Sequence, residues 1–336
     1  MIERPTPKAT GTEVLLKVIA AGVCHSDLHI WDGYYEIGDG KRLMLKDRGI
    51  KLPLTMGHEN VGEVIAHGPD AKGVKIGDRR LVHPWMGCGE CAVCKRGEEQ
   101  LCLKPRNLGV FSAGGYSDYL MISHPRYLFD IGDLPPEKAA PLACSGITTY
   151  GALKKVGPLL AEELVVIIGA GGLGLMCLGL LKAMGGKGAI VVDIDPVKRD
   201  AAMKAGAKAV IDGAAPDAAR QIMEVTKGGA WAVIDLVGSS STTRLGADSL
   251  IKGGKLIIVG LFGGGATFAL PLIPIKAITI QGSYVGNLRE TRELLDLVRS
   301  KNIPPIPVTP MPLAKANEAL LDLQKGKLVG RAVLTP

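Results

Sequence analysis

A chain of 336 residues is too long for one ordinary hydrophobic core, so two domains are expected. Its 47% hydrophobic and 22% charged residues are those of a soluble globular protein, and 45 glycines with few aromatics suit the tight strand-to-helix turns of an α/β fold. The formal net charge of +7 is spread over interleaved bases and acids, which suits anionic cofactors and speaks against a nucleic-acid partner.

Met1 to Lys17 carries charges and prolines where a secretory signal needs an apolar core. The run EVLLKVIA, Glu13–Ala20, reads as a strand, and the motif Cys24-His25-Ser26-Asp27 follows it. Trp31–Leu52 reads as a polar, glycine-rich loop. A second strand is expected around Asn60–Ala66, just after Gly57-His58-Glu59. VGEVIAHG and KIGDRRLV resemble short antiparallel strands of a β-rich module.

From Pro84 to Pro105 there is no hydrophobic periodicity. Instead Cys88, Cys91, Cys94 and Cys102 form C-x2-C-x2-C-x7-C. Four thiolates this close can close a tetrahedral structural zinc site. An iron–sulfur cluster competes, but the fourth cysteine is neither three residues on nor followed by proline. A zinc finger for DNA would need paired histidines and a basic recognition helix. With no signal segment, the seven cysteines point to metal more than to disulfides, and to the cytoplasm.

After about Pro141 short apolar strands alternate with helical stretches. LVVIIG, AIVVDID, KAVID, AVIDLVG, KLIIVG and AITIQG are strands of a parallel sheet, with LGLMCLGLLKAMG and PVKRDAAMKAGA as crossover helices. The 18 uncharged residues Leu164–Leu181 are borderline for a membrane span, but their five glycines break them into strand, turn and helix, so no membrane partner is expected. Arg289–Ser300 and Leu313–Gly326 look helical, and RAVLTP closes the chain as a strand.

Gly169-Ala170-Gly171-Gly172-Leu173-Gly174 fits G-x-G-x-x-G directly after LVVII. The first glycine permits a tight turn, the second lets backbone approach a pyrophosphate, and the third lets helix and strand pack closely. The helix N-terminus then offers free N–H groups to that phosphate. Asp193, nineteen residues beyond Gly174, can accept both adenosine ribose hydroxyls and would repel a 2′-phosphate, favouring NAD over NADP. Asp195 competes for the role but reads as a helix cap, and Lys198 could reach the same ribose.

A dispersed set remains: Cys24, His58 and Cys144. Two cysteines and one histidine are the ligands of an open catalytic zinc, though spacing alone does not bring them together. Cys177, within an apolar helix, reads as a small hydrophobe.

In order along the chain, CHSD at Cys24–Asp27, GHENVG at Gly57–Gly62, the cysteine lobe and GAGGLG at Gly169–Gly174 resemble the zinc-dependent medium-chain alcohol dehydrogenases. PLACSGITTY at Pro141–Tyr150 and the long loop before GHE look most like the tetrameric microbial branch. The resemblance implies a doubly wound parallel-sheet (Rossmann) cofactor domain at 144–280, and a β-rich GroES-like catalytic domain at 1–143 and 281–336. It implies NAD and two zinc ions, an alcohol, aldehyde or ketone as substrate, and a homo-oligomer, a tetramer or alternatively a dimer. Catalytic zinc would lie on Cys24, His58 and Cys144, with Glu59 behind it or as an occasional fourth ligand. Ser26 matches the hydroxyl that receives the alcohol proton, and His29 the outer end of the relay. His25 stands where a cation often meets the pyrophosphate, Thr148 beside the nicotinamide and Arg331 near the cofactor phosphates. Trp85, Val110 and Tyr284 look like walls of the substrate pocket. Family members usually carry a further segment with an early strand pair before the point where this chain opens, which bears on the first sheet and on no named site residue.

Three other readings stand beside this one. A zinc-free enone or quinone reductase of the same superfamily would not need Cys24, His58 and Cys144 together. A polyol dehydrogenase would favour a carboxylate where Cys144 stands. A zinc-dependent regulatory or nucleic-acid-binding protein would use the four-cysteine lobe alone.

Overall fold

The computed structural model describes residues 2–301, 303 and 306–336; Met1, where the chain opens, lies outside them. The first part of the chain forms β1 (Val14–Gly22), β2 (Tyr34–Glu36), β3 (Arg42–Met44), β4 (Glu59–His67), β5 (Arg79–Val82), β6 (Tyr119–Ile122) and β7 (Leu128–Asp130). The middle part forms β8 (Val165–Ile168), β9 (Ala189–Asp193), β10 (Ala209–Asp212), β11 (Ala230–Asp235), β12 (Leu250–Ile258) and β13 (Thr279–Gly282). β14 (Val308–Pro312) and β15 (Arg331–Thr335) end the chain.

β1 is apolar on both faces, with Lys17 alone exposed, because it lies inside a sheet folded round its own core. It pairs antiparallel with β4 along its length, while β6 and β15 share its other edge. The full order is β14-β15-β1-β4-β5-β7, with β6 on β1. Leu16, Val64, Val82, Ile122, Tyr127 and Leu334 fill the interior. The stretch expected as a loop from Trp31 to Leu52 instead holds the β2–β3 hairpin and a 3₁₀ turn at Leu45–Arg48. Its signal is the Gly38-Asp39-Gly40 turn, with positive φ at all three residues, flanked by strands too short to show alternation.

The other sheet is six-stranded and parallel, in the order β10-β9-β8-β11-β12-β13. This is the doubly wound pattern, in which ligands bind beyond the carboxyl ends of the strands where the order reverses, here between β8 and β11. β8 is buried throughout, as expected for a central strand covered on both faces. The apolar run Leu164–Leu181 divides into β8, a glycine turn and the helix Gly172–Ala183. Among the described residues no helix is long and apolar enough to cross a membrane.

Helix Leu288–Lys301 extends one residue beyond each end of the expected Arg289–Ser300. Its Leu294, Leu295 and Val298 join the core formed by helices Ser145–Val156 and Gly172–Ala183. On the same buried face, one turn earlier, Thr291 Oγ1 lies 2.9 Å from Nδ1 of His83, just beyond β5. His83 is fully buried, and its Nε2 has no partner. Burial pushes its pKa down to about 3.

That shift ties stability to pH. Above its ordinary pKa of 6.5 His83 is neutral whether the chain is folded or unfolded; below it, the unfolded chain takes a proton that the folded chain refuses. The stability difference between wild type and His83→Gln therefore shrinks or reverses on acidification, by about 1.4 kcal/mol per pH unit below pH 6.5. Denaturant melts at pH 7.5, 6, 5 and 4 measure this. A difference that stays constant across the series would mean that His83 is not held neutral.

Candidate active site

β1 and β4 pair so that Gly22 lies opposite Glu59. A side chain at residue 22 would overlap the Glu59 carboxylate, so glycine there makes room for a buried acid. Cys24 lies two residues further on and caps the helix His25–Asp32, and His58 directly precedes β4. Cys144 sits before the first residue of helix Ser145–Val156. From three separate elements, Cys24, His58, Glu59 and Cys144 bring one ligand atom each to within 4.8 Å of one another, all buried.

The donor set fits a tetrahedral ion. The two Sγ atoms are 3.9 Å apart. Thiolates at about 2.3 Å from one zinc, at a tetrahedral angle, stand roughly 3.8 Å apart. His58 Nδ1 lies 3.2 Å from Asp27 Oδ1, while buried Nε2 has no partner in the protein. A histidine fixed this way presents Nε2 as the lone-pair donor. Asp27 is itself held: its Oδ2 accepts from Cys24 N at 2.9 Å and from Tyr116 OH at 2.8 Å. Sequence reasoning quoted Asp27 within CHSD but gave it no role. The signal was its place three residues after Cys24, in the first helical turn.

Electrostatics point the same way. Cys24, Cys144, Asp27 and Glu59 are buried together, and among the described residues the only fixed cation in contact is Arg331, whose Nη2 is 3.1 Å from Glu59 Oε1. A hydrogen bond from Cys144 holds the Cys24 thiol well below its ordinary value and raises that of Cys144. Burial pushes the Glu59 carboxyl up to about 8, against the pull of Arg331. A site with this surplus of acidic groups is balanced by a divalent cation.

Ser26 Oγ is 3.8 Å from Cys24 Sγ, at the rim of the cluster. The His29 ring is 4.7 Å from that of Tyr35, and its Nε2 is buried without a partner. Among the described residues no hydrogen bond joins Ser26 to His29. Trp85 donates from Nε1 to Ala143 O at 3.2 Å, with its ring 5.4 Å from His58 and 5.8 Å from Tyr284. Trp85 and Tyr284 thus flank the metal donors. Val110 packs instead with Ile30, Leu45, Ile50 and Phe111.

Around the parallel sheet, Gly169 has φ +101°, open to glycine at little strain. A Cβ on Gly172 would come to 2.7 Å from Gly330 O, and one on Gly174 would overlap Gly169 O. A Cβ on Gly171 would meet nothing within 4 Å, so only space for a ligand gives glycine a purpose there. Leu173 lies in the first turn of the helix that follows. Asp193 Oδ2 accepts from Ala170 N at 2.7 Å, bringing its carboxylate to the glycine turn. Asp195 caps the next helix through Val197 N, as read from the sequence, and Lys198 Nζ is 3.8 Å from Asp195. Thr148, one turn after Cys144, carries a buried hydroxyl with no partner. His25 is exposed, its ring 6.3 Å from Phe262. Arg331 lies 3.6 Å from a Cβ position on Gly172, but its guanidinium reaches Glu59 and Val23 O. The open glycine turn and unpartnered Thr148 hydroxyl fit a dinucleotide. Cys177 is buried in helix Gly172–Ala183, where burial pushes its thiol up to about 12.

The second cysteine cluster is built differently. Cys88, Cys91, Cys94 and Cys102 also bring their sulfurs within 4.8 Å of one another. Backbone N–H groups of Cys88 and Lys104 approach Cys102 Sγ at 3.1 and 3.2 Å, and that of Cys91 approaches Cys88 Sγ at 3.4 Å. Such donors favour thiolates. Four sulfurs leave no ligand position open.

Residues 10–133 match the family described as alcohol dehydrogenase GroES-like domain, and residues 172–300 the zinc-binding dehydrogenase family. An NAD-dependent alcohol dehydrogenase of Sulfurisphaera tokodaii is 40% identical over 99% of this chain and 95% of its own. The crystal structure of the alcohol dehydrogenase from Aeropyrum pernix has a TM-score of 0.90 at 34% identity, over 100% of this chain and 96% of that one. A D-arabinose 1-dehydrogenase (NADP(+)) of Saccharolobus solfataricus is 33% identical over 98% of this chain and 92% of its own. A GroES-like unit carrying thiolate–imidazole donors beside a doubly wound parallel sheet is the architecture of the zinc-binding dehydrogenases. Within that class, the chain belongs to the zinc-dependent medium-chain alcohol dehydrogenase family.

Asp27→Asn keeps the shape but weakens the bond that orients His58. Retention of metal at the cluster of Cys24, His58 and Cys144 is expected to fall by roughly 10- to 100-fold, with the four-cysteine lobe unaffected. Zinc content during graded chelation measures both sites in one titration. Equal retention in both proteins would remove Asp27 from the account.

Proposed function

We propose that the protein transfers a hydride between a primary or secondary alcohol and NAD, giving an aldehyde or ketone and NADH. The convergence of Cys24, His58 and Cys144 carries this reading. It also separates it from a zinc-free reductase or a lobe-only binding module, neither of which needs that cluster. Zinc bound there would act as a Lewis acid that makes the alcohol hydroxyl more acidic, and bound NAD would accept the hydride.

Cys24, His58 and Cys144 hold the catalytic ion, with Glu59 behind them, and Cys88, Cys91, Cys94 and Cys102 hold a structural one. Two thiolates leave the catalytic donor set neutral overall with a divalent ion, which eases product departure. Gly169 to Gly174 cradle the pyrophosphate, with Arg331 as a nearby cation and His25 beside it as a neutral hydrogen-bonding ring. Asp193 accepts the adenosine ribose hydroxyls, and Lys198 is close enough to assist. Thr148 orients the nicotinamide from the same helix that begins at Cys144. Trp85 and Tyr284 enclose the substrate carbon and exclude water, with Val110 a more distant wall. Ser26 passes the alcohol proton outward, and His29 takes it to solvent. Seven free thiols support a reducing, cytoplasmic setting. Exposed Leu270, Leu272 and Ile275, near the free edge of β13, support self-association, with a homotetramer as the expected state.

Cys144→Ala is expected to lose the cluster's ion and more than about 100-fold of alcohol turnover while NADH still binds. Zinc content, NADH fluorescence titration and steady-state rates together test it. Turnover near the wild-type rate would overturn the ligand assignment.

Burial holds His29 below its ordinary pKa of 6.5, so it is a neutral base through the physiological range. His29→Gln is expected to slow alcohol oxidation on the order of tenfold at pH 6–7, where hydroxide is scarce, and to approach wild type near pH 10. Imidazole buffer should restore part of the loss. Superimposable pH–rate profiles would take His29 out of the relay.

A further inference from the structure

Strands β9 and β10 end side by side, with Asp193 and Asp212 as register partners. Between these ends lies Arg199, from the helix Pro196–Lys204. Its Nη1 donates to the backbone oxygen of Asp193 at 2.8 Å and stands 3.3 Å from Asp212 Oδ1. The Asp193 carboxylate itself is turned away, toward Ala170 N and Asp195 N. Asp212 is therefore the acid that neutralises Arg199. Beyond it the chain continues as Gly213-Ala214-Ala215, three small residues that leave the strand end uncrowded. Counting Asp193, Asp195 and Asp212 against Lys198 and Arg199, the edge carries one surplus negative charge.

We propose that Arg199 is a latent receptor for a 2′-phosphate, kept silent by Asp212, so that two carboxylates and not Asp193 alone decide coenzyme choice. Asp193 repels the phosphate at the ribose edge. Asp212 occupies the guanidinium that would otherwise bind it, and a guanidinium is the side chain best matched to a phosphate because it offers paired N–H donors. The inference rests on the proposed dinucleotide site and adds a specificity-determining pair to it. No change of fold is required, because Asn at 212 can still accept from Ala214 N, as Asp212 Oδ1 does at 3.0 Å.

The test uses the full-length, zinc-replete protein and two fragments, 5′-AMP and 2′,5′-ADP, titrated by calorimetry at one fixed, low ionic strength. Wild type should prefer 5′-AMP. Asp193→Ser should reduce that preference, and Asp193→Ser with Asp212→Asn should move it further toward 2′,5′-ADP, by at least about tenfold beyond the single variant. Adding Arg199→Gln to the double variant should remove at least that gain, with 5′-AMP affinity changed little. If the triple variant keeps the preference of the double within about twofold, or if Asp212→Asn adds nothing to Asp193→Ser, the proposal is overturned while the dinucleotide site stands. If folded wild type binds neither 5′-AMP nor NADH, the dinucleotide reading itself falls and this inference with it.

Discussion

Acidic groups buried together, with too little positive charge of their own, are the constraint on which the rest of this structure depends. Asp27, Glu59, Cys24 and Cys144 share a volume without solvent, and among the described residues one guanidinium, Arg331, is the only permanent cation touching it. Leaving such charges unmatched costs several kcal/mol per ion. The surroundings are arranged around that cost. Gly22 makes space for Glu59, Tyr116 and the Cys24 amide bind Asp27, and Asp27 in turn fixes His58. These contacts orient donors; none supplies the missing charge. A divalent ion would, and the 3.9 Å between the two sulfurs is the spacing that a single zinc asks for.

The same residue ties this cluster to the coenzyme side. Arg331 opens β15, and the carbonyl of its neighbour Gly330 stands 2.7 Å from where a Cβ on Gly172 would lie, so that position takes no larger residue without movement. The guanidinium thus lies at the glycine turn and ends on Glu59. Helix Ser145–Val156 makes a second link, with Cys144 at its start and Thr148 one turn later. The Cys144 thiol and the unpartnered Thr148 hydroxyl are separated by a single helical turn, a spacing fixed by backbone geometry. Hydride transfer needs reacting atoms held at close and constant distance, and a rigid helix is a better spacer for that purpose than a loop.

What was legible in the sequence was what is local. The glycine turn, Asp193 and the cysteine lobe each lie within a short stretch, so spacing alone nearly fixes their chemistry. The parallel sheet was legible too, since short apolar strands, five of the six only four to six residues long, alternate with helices. The catalytic cluster was not, because Cys24, His58 and Cys144 meet only through β1–β4 pairing and the placement of a distant helix; family resemblance named them before geometry could. Asp27 was overlooked because an acid in the first turn of a helix has an ordinary explanation in the helix dipole. The His83–Thr291 contact joins residues more than two hundred positions apart, and nothing local marks either of them. The β2–β3 hairpin escaped because three-residue strands carry no measurable period.

The two cysteine-containing clusters would offer the same kind of ion two different settings. In the lobe, the Cys88 and Cys102 sulfurs accept from backbone N–H groups, and Leu101 and Leu103 stand exposed nearby. A segment that exposes its leucines has little hydrophobic core of its own, and a saturated four-sulfur metal site would supply that hold. At the other cluster one thiolate pair and one imidazole face Trp85, Tyr284 and Ser26, with few backbone donors nearby. Substituting imidazole for thiolate lowers the negative charge on the ion and leaves it a stronger acid toward an incoming oxygen. Burial then strengthens every charge interaction there, because water no longer screens it. A closed, charge-rich site on a surface lobe favours permanence, and an incomplete site in a dry cleft favours chemistry.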